Sequence, residues 1–139
     1  VTWDQTIPNM PKTAFSKNNI GILTYGSIAG GILSGKYRTE EDCPKDGRTQ
    51  TYPFYHGEAF KKAMKLVDVL EMIANDHQKP ISHVAINWVN QQPGITTSLV
   101  GMKTPEQAIS NAEAGNWELS KEELMLINST YEKLFGDQQ

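Results

Sequence analysis

Cysteine is almost absent. Cys43 is the one thiol in 139 residues, so no disulfide framework forms within the chain, and a reducing compartment is the simpler expectation. No apolar run approaches the roughly 18 residues that a membrane helix needs, so no membrane insertion is expected. No signal-peptide pattern opens the chain, and Val1 is not a natural start residue, so a trimmed N-terminus is expected. Repeats and low-complexity tracts are missing too. Positive charge is short: 13 Lys and Arg against 16 Asp and Glu leave a net charge of −3, which argues against a nucleic-acid partner. A soluble cytoplasmic protein is the expectation these absences favour.

What is present reads as an α/β pattern. Residues 1–18 show no clear periodicity. Pro8, Pro11 and the run Ser16-Lys17-Asn18-Asn19 suggest an extended segment, then a short helix around Lys12–Lys17. Ile20-Gly21-Ile22-Leu23-Thr24-Tyr25 is a short apolar run of the buried-strand kind. Gly26, Gly30, Gly31 and Gly35 follow, with room for one or two helical turns between them. Residues 38–57 are the least regular part, with Pro44, Gly47, Pro53 and Gly57. A loop this long inside a domain is usually functional or disordered, and Tyr52, Phe54 and Tyr55 predict that it docks on something. Phe60, Met64, Val67, Leu70, Ile73 and Ala74 then step at helical spacing. A second helix carries Val84, Ala85, Trp88 and Val89, and Pro93-Gly94 ends it. Ile95–Val100 reads as a second buried strand. Thr104-Pro105-Glu106-Gln107 and Ser120-Lys121-Glu122-Glu123 are capping boxes that open two further helices. Leu124, Ile127, Tyr131 and Leu134 mark the inner side of the last one. Two strands do not make a stable parallel sheet alone. The chain is therefore expected to be part of a larger α/β unit, or to pair with a copy through its bare strand edges.

Two site-like segments lie just past the carboxyl ends of the strands, where α/β folds bind ligands. The first runs from Tyr25 through Gly26-Ser27-Ile28-Ala29-Gly30-Gly31 to Lys36. Its glycines permit close backbone approach to an anion, but the spacing matches neither the Walker loop nor the dinucleotide GxGxxG. On spacing alone, a phosphate cradle and a packing turn both remain open. The second is Gly101-Met102-Lys103-Thr104-Pro105-Glu106-Gln107, a lysine beside a helix N-terminus. There a phosphate site and an ordinary capped helix remain open. His56, His77 and His83 have no metal-ligand spacing with one another or with Cys43, and read as structural or solvated. Trp88 and the helical methionines read as core, and Glu122 and Glu123 as a solvated first turn. No complete acid–base set is present.

Gly21 through Tyr37 resembles the seventh-strand segment of the aldo-keto reductases, in the branch of general-stress reductases and potassium-channel β-subunits. Val84-Ala85-Ile86-Asn87-Trp88-Val89 with Gln92-Pro93-Gly94 resembles the family's helix before the eighth strand. Val100-Gly101-Met102-Lys103-Thr104-Pro105-Glu106-Gln107, with Asn111 beyond, resembles its cofactor segment, and Trp117-Glu118-Leu119-Ser120 its approach to the last helix. The blocks keep the family's order over residues 20–135.

The resemblance implies an α/β fold that is a partial (β/α)₈ TIM barrel. Residues 1–139 would form one incomplete domain, the C-terminal part with strands seven and eight and their helices. A full barrel takes about 250 residues. It implies an oxidoreductase that reduces small-molecule carbonyls with NADP(H), with residues 38–57 as a long loop on the active-site side. By position, Tyr25 would stack on the nicotinamide. Gly26, Ser27, Ile28, Gly30 and Gly31 would line the diphosphate, with Lys36 close by. Lys103 and Thr104 would contact the adenosine 2′-phosphate, and Gln107 and Asn111 would hold the adenosine end. Two positions depart from the family pattern: Gly26-Ser27 replaces Ser-Pro, and Ser110 replaces an acidic residue. The family's catalytic Asp, Tyr, Lys and His lie in its N-terminal half, so no catalytic residue is assigned here and the segment alone is expected to be inactive. A non-catalytic nucleotide-binding or regulatory module, like a channel β-subunit, is the alternative.

Overall fold

A computed structural model describes Asn18 and residues 20–136; the extended segment and short helix expected around residues 1–17 lie outside them. The two apolar runs become short strands, β1 (Leu23–Tyr25) and β2 (Thr97–Leu99), which pair in parallel. They are shorter than the runs suggest because a side chain interrupts the ladder. The Ile22 N–H donates to the Thr96 hydroxyl at 2.9 Å, while the Ile22 carbonyl accepts from the Thr96 N–H at 2.9 Å. Strand alternation turns Thr24 and Ser98 toward the helices, where the Ser98 hydroxyl donates to Asn90 Oδ1 at 2.7 Å. The other face carries Leu23, Tyr25 and Leu99, all exposed.

The helices are α1 (Arg48–Thr51), α2 (Gly57–Asp76), α3 (Ile81–Asn90), α4 (Pro105–Glu113) and α5 (Lys121–Phe135). On α2 the buried residues are Phe60, Ala63, Leu66, Val67, Leu70, Ile73 and Ala74, a stripe at three- and four-residue steps. Of the helical methionines, Met64 packs partly buried against the core, as expected, while Met72 and Met125 are exposed. Periodicity places a residue on a helix face, but the width of the buried stripe depends on what packs there. The central helix is α3, which meets α2, β2 and α4. Every residue from His83 to Val89 is buried, so its polar groups need partners. Asn87 Nδ2 donates to the Trp117 carbonyl at 2.9 Å, and Trp88 Nε1 donates to Asn128 Oδ1 at 2.8 Å. Gln91, just past α3, exchanges two hydrogen bonds with the Leu119 backbone.

The second capping box forms as expected: the Ser120 hydroxyl accepts from the Glu123 N–H at 3.1 Å, and the Glu123 carboxylate accepts from the Ser120 N–H at 2.7 Å. The first forms only in part. Thr104 Oγ1 accepts from the Gln107 N–H at 3.3 Å, but Gln107 Oε1 accepts from the Lys103 N–H at 2.7 Å, one residue earlier than a box requires. Glu123 is also no free solvated acid. His77, at the C-terminal end of α2, places Nε2 2.7 Å from Glu123 Oε1, and its ring lies 4.7 Å from that of Trp117.

Residues 38–57 are not structureless. They hold two 3₁₀ turns, Glu40–Asp42 and Pro53–Tyr55, and the single-turn α1. Arg38 pairs with Asp68 at 3.3 Å and Glu71 at 2.6 Å on α2. Tyr55 is fully buried, and its hydroxyl donates to the Gly30 carbonyl at 2.8 Å. The aromatics do dock, and they dock on the glycine-rich turn after β1.

Gly30 has φ +66, and a Cβ there would meet the Tyr55 hydroxyl at 2.8 Å and the Tyr52 ring at 2.9 Å. Gly30→Ala is therefore expected to lower stability by about 1–3 kcal/mol in urea unfolding and to speed proteolysis within residues 38–57. Unchanged stability and protection would contradict this docking. Burial pushes the Glu123 carboxyl up, but the Ser120 N–H, His77 and the Ser120 hydroxyl together hold it below its ordinary value. A depressed folded pKa stabilises above the unfolded glutamate value, and that contribution disappears as pH falls through the folded value. Glu123→Gln is thus expected to lower the urea midpoint at pH 7, with the gap closing in acid; a pH-independent gap would rule the linkage out.

Candidate functional site

The carboxyl ends of β1 and β2 open on a cavity of about 720 Å³. One wall is the turn after β1: Gly26, Ser27, Ile28, Gly30 and Gly31, with Lys36 beyond. The opposite wall is Leu99 to Lys103, followed by Glu106, Gln107, Ser110 and Asn111 of α4. Nine of the positions singled out by sequence therefore share one cavity: Gly26, Ser27, Ile28, Gly30, Gly31, Lys36, Lys103, Gln107 and Asn111. Tyr25 and Thr104 do not line it. Tyr25 is 82% exposed on the bare sheet face, and the Thr104 hydroxyl caps α4.

Local conformation explains the first wall. The chain reverses after β1 through the Ala29 N–H, which donates to the Gly26 carbonyl at 2.7 Å. Ala29 is itself left-handed, with φ +49. Such backbone is costly and persists where surrounding contacts fix it; here Ala29 is buried and Tyr55 holds the next carbonyl. On the second wall, α4 contributes the partial positive charge of its N-terminus, with Lys103 just outside it.

The structure adds residues that sequence reasoning missed. Tyr37, Arg48 and Tyr52 reach the cavity from the glycine turn and the loop. Arg48 Nε donates to Asp46 Oδ1 at 2.9 Å, while its Nη1 donates to the Tyr37 hydroxyl at 3.3 Å and the Gly30 carbonyl at 3.4 Å. These hydrogen bonds from Arg48 hold the Asp46 carboxyl down at about 2, so the pair is ionised at neutral pH. The available signal was the Asp46-Gly47-Arg48 turn, which marks a bend without saying what it faces. Ser34 and Ser82 also line the cavity.

The lining is more positive than the chain. Lys36, Arg48 and Lys103 stand against one carboxylate, Glu106, in a protein whose net charge is −3. Ser27 supplies a further sign of a polar guest. It is 3% exposed, and its hydroxyl has no hydrogen-bond partner among the described residues. A buried hydroxyl without a partner is disfavoured, and a ligand oxygen in the cavity would satisfy it. Ile28, Leu99 and Met102 give the same cavity apolar surface for flat groups. The arrangement suits an elongated anion with phosphates near the glycine turn and the α4 N-terminus.

Burial pushes the Tyr55 hydroxyl up to about 12, and it is engaged with Gly30. Tyr37 accepts from Arg48. His56 is on the surface, 3.6 Å from Glu40. Among the described residues no group of three His, Cys, Asp or Glu side chains stands together to hold a metal, and no helix is long and apolar enough to cross a membrane.

Comparison with known proteins places this geometry. The chain is 31% identical over 121 residues to the aldo-keto reductase YhdN of Bacillus subtilis, covering 86% of this chain and 37% of that protein. It is 29% identical over 90 residues to the aldo-keto reductase yakc [NADP(+)] of Schizosaccharomyces pombe, covering 65% of this chain and 26% of that one. Its fold superposes on the glycerol dehydrogenase AKR11B4 of Gluconobacter oxydans with a TM-score of 0.81 and 25% identity, over 96% of this chain and 40% of that enzyme. The chain thus spans well under half the length of these relatives. Its paired strands and helices are part of a (β/α)₈ barrel. With the Aldo/keto reductase family profile matching residues 5–132, across both cavity walls, the chain belongs to the aldo/keto reductase family.

Proposed function

We propose that this chain supplies the nucleotide-binding part of an NADP(H)-dependent oxidoreductase that reduces small-molecule carbonyl compounds. The observation that carries the reading is one cavity joining the glycine turn, three cations and the unpartnered Ser27 hydroxyl. The name of the yeast relative, which includes NADP(+), points the same way.

In this reading the bound dinucleotide supplies a hydride to the carbonyl carbon. The chain's own residues bind and orient it. Gly26, Gly30 and Gly31 let backbone approach the diphosphate, and Ser27 donates to it. Lys36 and Arg48 neutralise its charge. Lys103, at the N-terminus of α4, takes the adenosine 2′-phosphate, where its charge adds to that of the helix end. Thr104 holds that end of α4 in shape by capping it. Gln107 and Asn111 hold the adenosine end. Tyr25 stacks on the nicotinamide from the sheet face that is bare in this chain. In this reading the proton delivered to the carbonyl oxygen comes from groups outside this segment, as the family resemblance implies. Residues 38–57 cover the site, with Arg48 as their contribution to it.

A charged contact to a phosphate carries about 1.5–3 kcal/mol, equivalent to roughly 10- to 100-fold in affinity. Lys103→Ala is expected to weaken NADPH binding by that factor and NADH binding far less, followed by nicotinamide fluorescence. Equal losses for the two cofactors would reject Lys103 as the 2′-phosphate contact. Failure of the folded chain to bind either would reject a preformed site.

A further inference from the structure

Four methionines fall among the described residues, and one of them stands in the cavity. Met72 on α2, Met102 before α4 and Met125 on α5 are exposed, at 50%, 54% and 62%. Met64 packs partly buried against the core. Met102 alone of the four lines the cavity, between Gly101 and Lys103. A thioether is apolar, polarisable and unbranched, and it packs well against rings. Its other property is chemical. An accessible thioether is oxidised to the sulfoxide, which turns a flexible apolar side chain into a polar one.

The step balances with hydrogen peroxide as the co-reactant. A sulfur lone pair attacks one peroxide oxygen, and the S–O bond forms as the O–O bond breaks. Sulfur gives up two electrons, and the second oxygen leaves as water with both protons. The other sulfur, Cys43, is a poor competitor. It is buried, and burial, followed by the Glu40, Asp42 and Glu41 carboxylates, pushes its thiol up. Thiol oxidation runs through the thiolate. An oxidant arriving from solvent therefore meets thioethers first, and only one of the three exposed ones shapes the cavity.

We propose that Met102 is an oxidation site at which a peroxide lowers the cavity's affinity for its dinucleotide, and from which the bound dinucleotide excludes the oxidant. The proposal rests on the nucleotide reading above. Two effects set its direction. The sulfoxide oxygen is a strong acceptor, and a guest that lays an apolar group against it covers it without a partner, which is unfavourable. The same oxygen carries partial negative charge one residue from Lys103, so it competes with a phosphate for that ammonium. Met72 and Met125 are about as exposed but line no part of the cavity, so their oxidation leaves binding alone.

The test uses the full 139-residue chain, with hydrogen peroxide as the oxidant and NADP+, which has no hydride to lose to it, as the nucleotide. Site-resolved mass spectrometry follows each methionine. In the free chain Met72, Met102 and Met125 are expected to oxidise at comparable rates. NADP+ at about ten times its dissociation constant leaves roughly one chain in ten free, so Met102 should slow about 10-fold while Met72 and Met125 do not. Calorimetric titration after oxidation is expected to show an NADP+ affinity about 5- to 10-fold below that before treatment, the size of one polar group left unpaired. Each variant is compared with itself. Met102→Leu should show no change on treatment, whatever its starting affinity, and the double variant Met72→Leu, Met125→Leu should lose affinity as wild type does. Met102→Gln, which puts a polar acceptor there without oxidation, should bind NADP+ more weakly than Met102→Leu. Equal protection of all three thioethers, no protection of Met102, or a loss that persists in Met102→Leu would overturn the proposal. Untreated chain that binds NADP+ yet shows none of these effects defeats this proposal alone. An untreated, folded chain that does not bind NADP+ defeats the nucleotide reading and this proposal with it.

Discussion

Three backbone pairs, Leu23 with Thr97, Thr24 with Ser98 and Tyr25 with Leu99, hold β1 and β2 side by side and pointing the same way. Parallel strands finish at the same edge, so the segments that follow them leave together. The glycine turn follows one strand and the Lys103 segment follows the other. A two-residue slip in register would separate them by about 7 Å, more than a hydrogen bond spans. The cavity is therefore a consequence of register, and register is held from behind. Ser98 is tied to Asn90 at the end of α3, and α3 is buried among α2, α4 and β2. The packing behind the strands thus fixes where the two cavity-lining segments meet.

The Gly30 carbonyl is the second fixed point. It accepts from Tyr55 and from Arg48, so one backbone oxygen in the cradle also anchors the long loop. The loop's other tether is Arg38 on the acidic residues of α2. Held at both places, residues 38–57 need little regular structure of their own to stay over the cavity. The exposed Leu23, Tyr25 and Leu99 on the other side of the sheet mark the face that the remaining strands of a barrel would cover, in keeping with a chain that spans 40% of its structural neighbour.

Much of this was legible in the residues. The helical stripes, both strand positions and the Ser120 box follow from local spacing, and the order of the glycine and lysine segments carried the family resemblance. What was not legible depends on pairs distant in sequence. The His77 to Glu123 contact joins residues 46 apart, and nothing local to Glu123 distinguishes it from a solvated helix-start acid. The burial of every α3 residue from His83 to Val89 is invisible to periodicity, since that stretch has no exposed polar stripe to mark an outer face. Arg48 sits in a segment with no period at all, and its aim is set by Tyr37, Asp46 and the Gly30 carbonyl together. Tyr25 and Thr104 were carried over by position, yet in this chain they stand outside the cavity: one is on the bare face, the other is occupied as a cap.

The central claim is that two segments more than 70 residues apart act as one nucleotide site because β1 and β2 share an edge. Amide NMR of the chain during titration with NADPH addresses it directly. The account predicts that signals from residues 26–31 and from residues 101–111 shift together, saturating with one common dissociation constant. Shifts confined to one segment, two separate constants, or changes centred on the bare face around Leu23 and Tyr25 alone would contradict it.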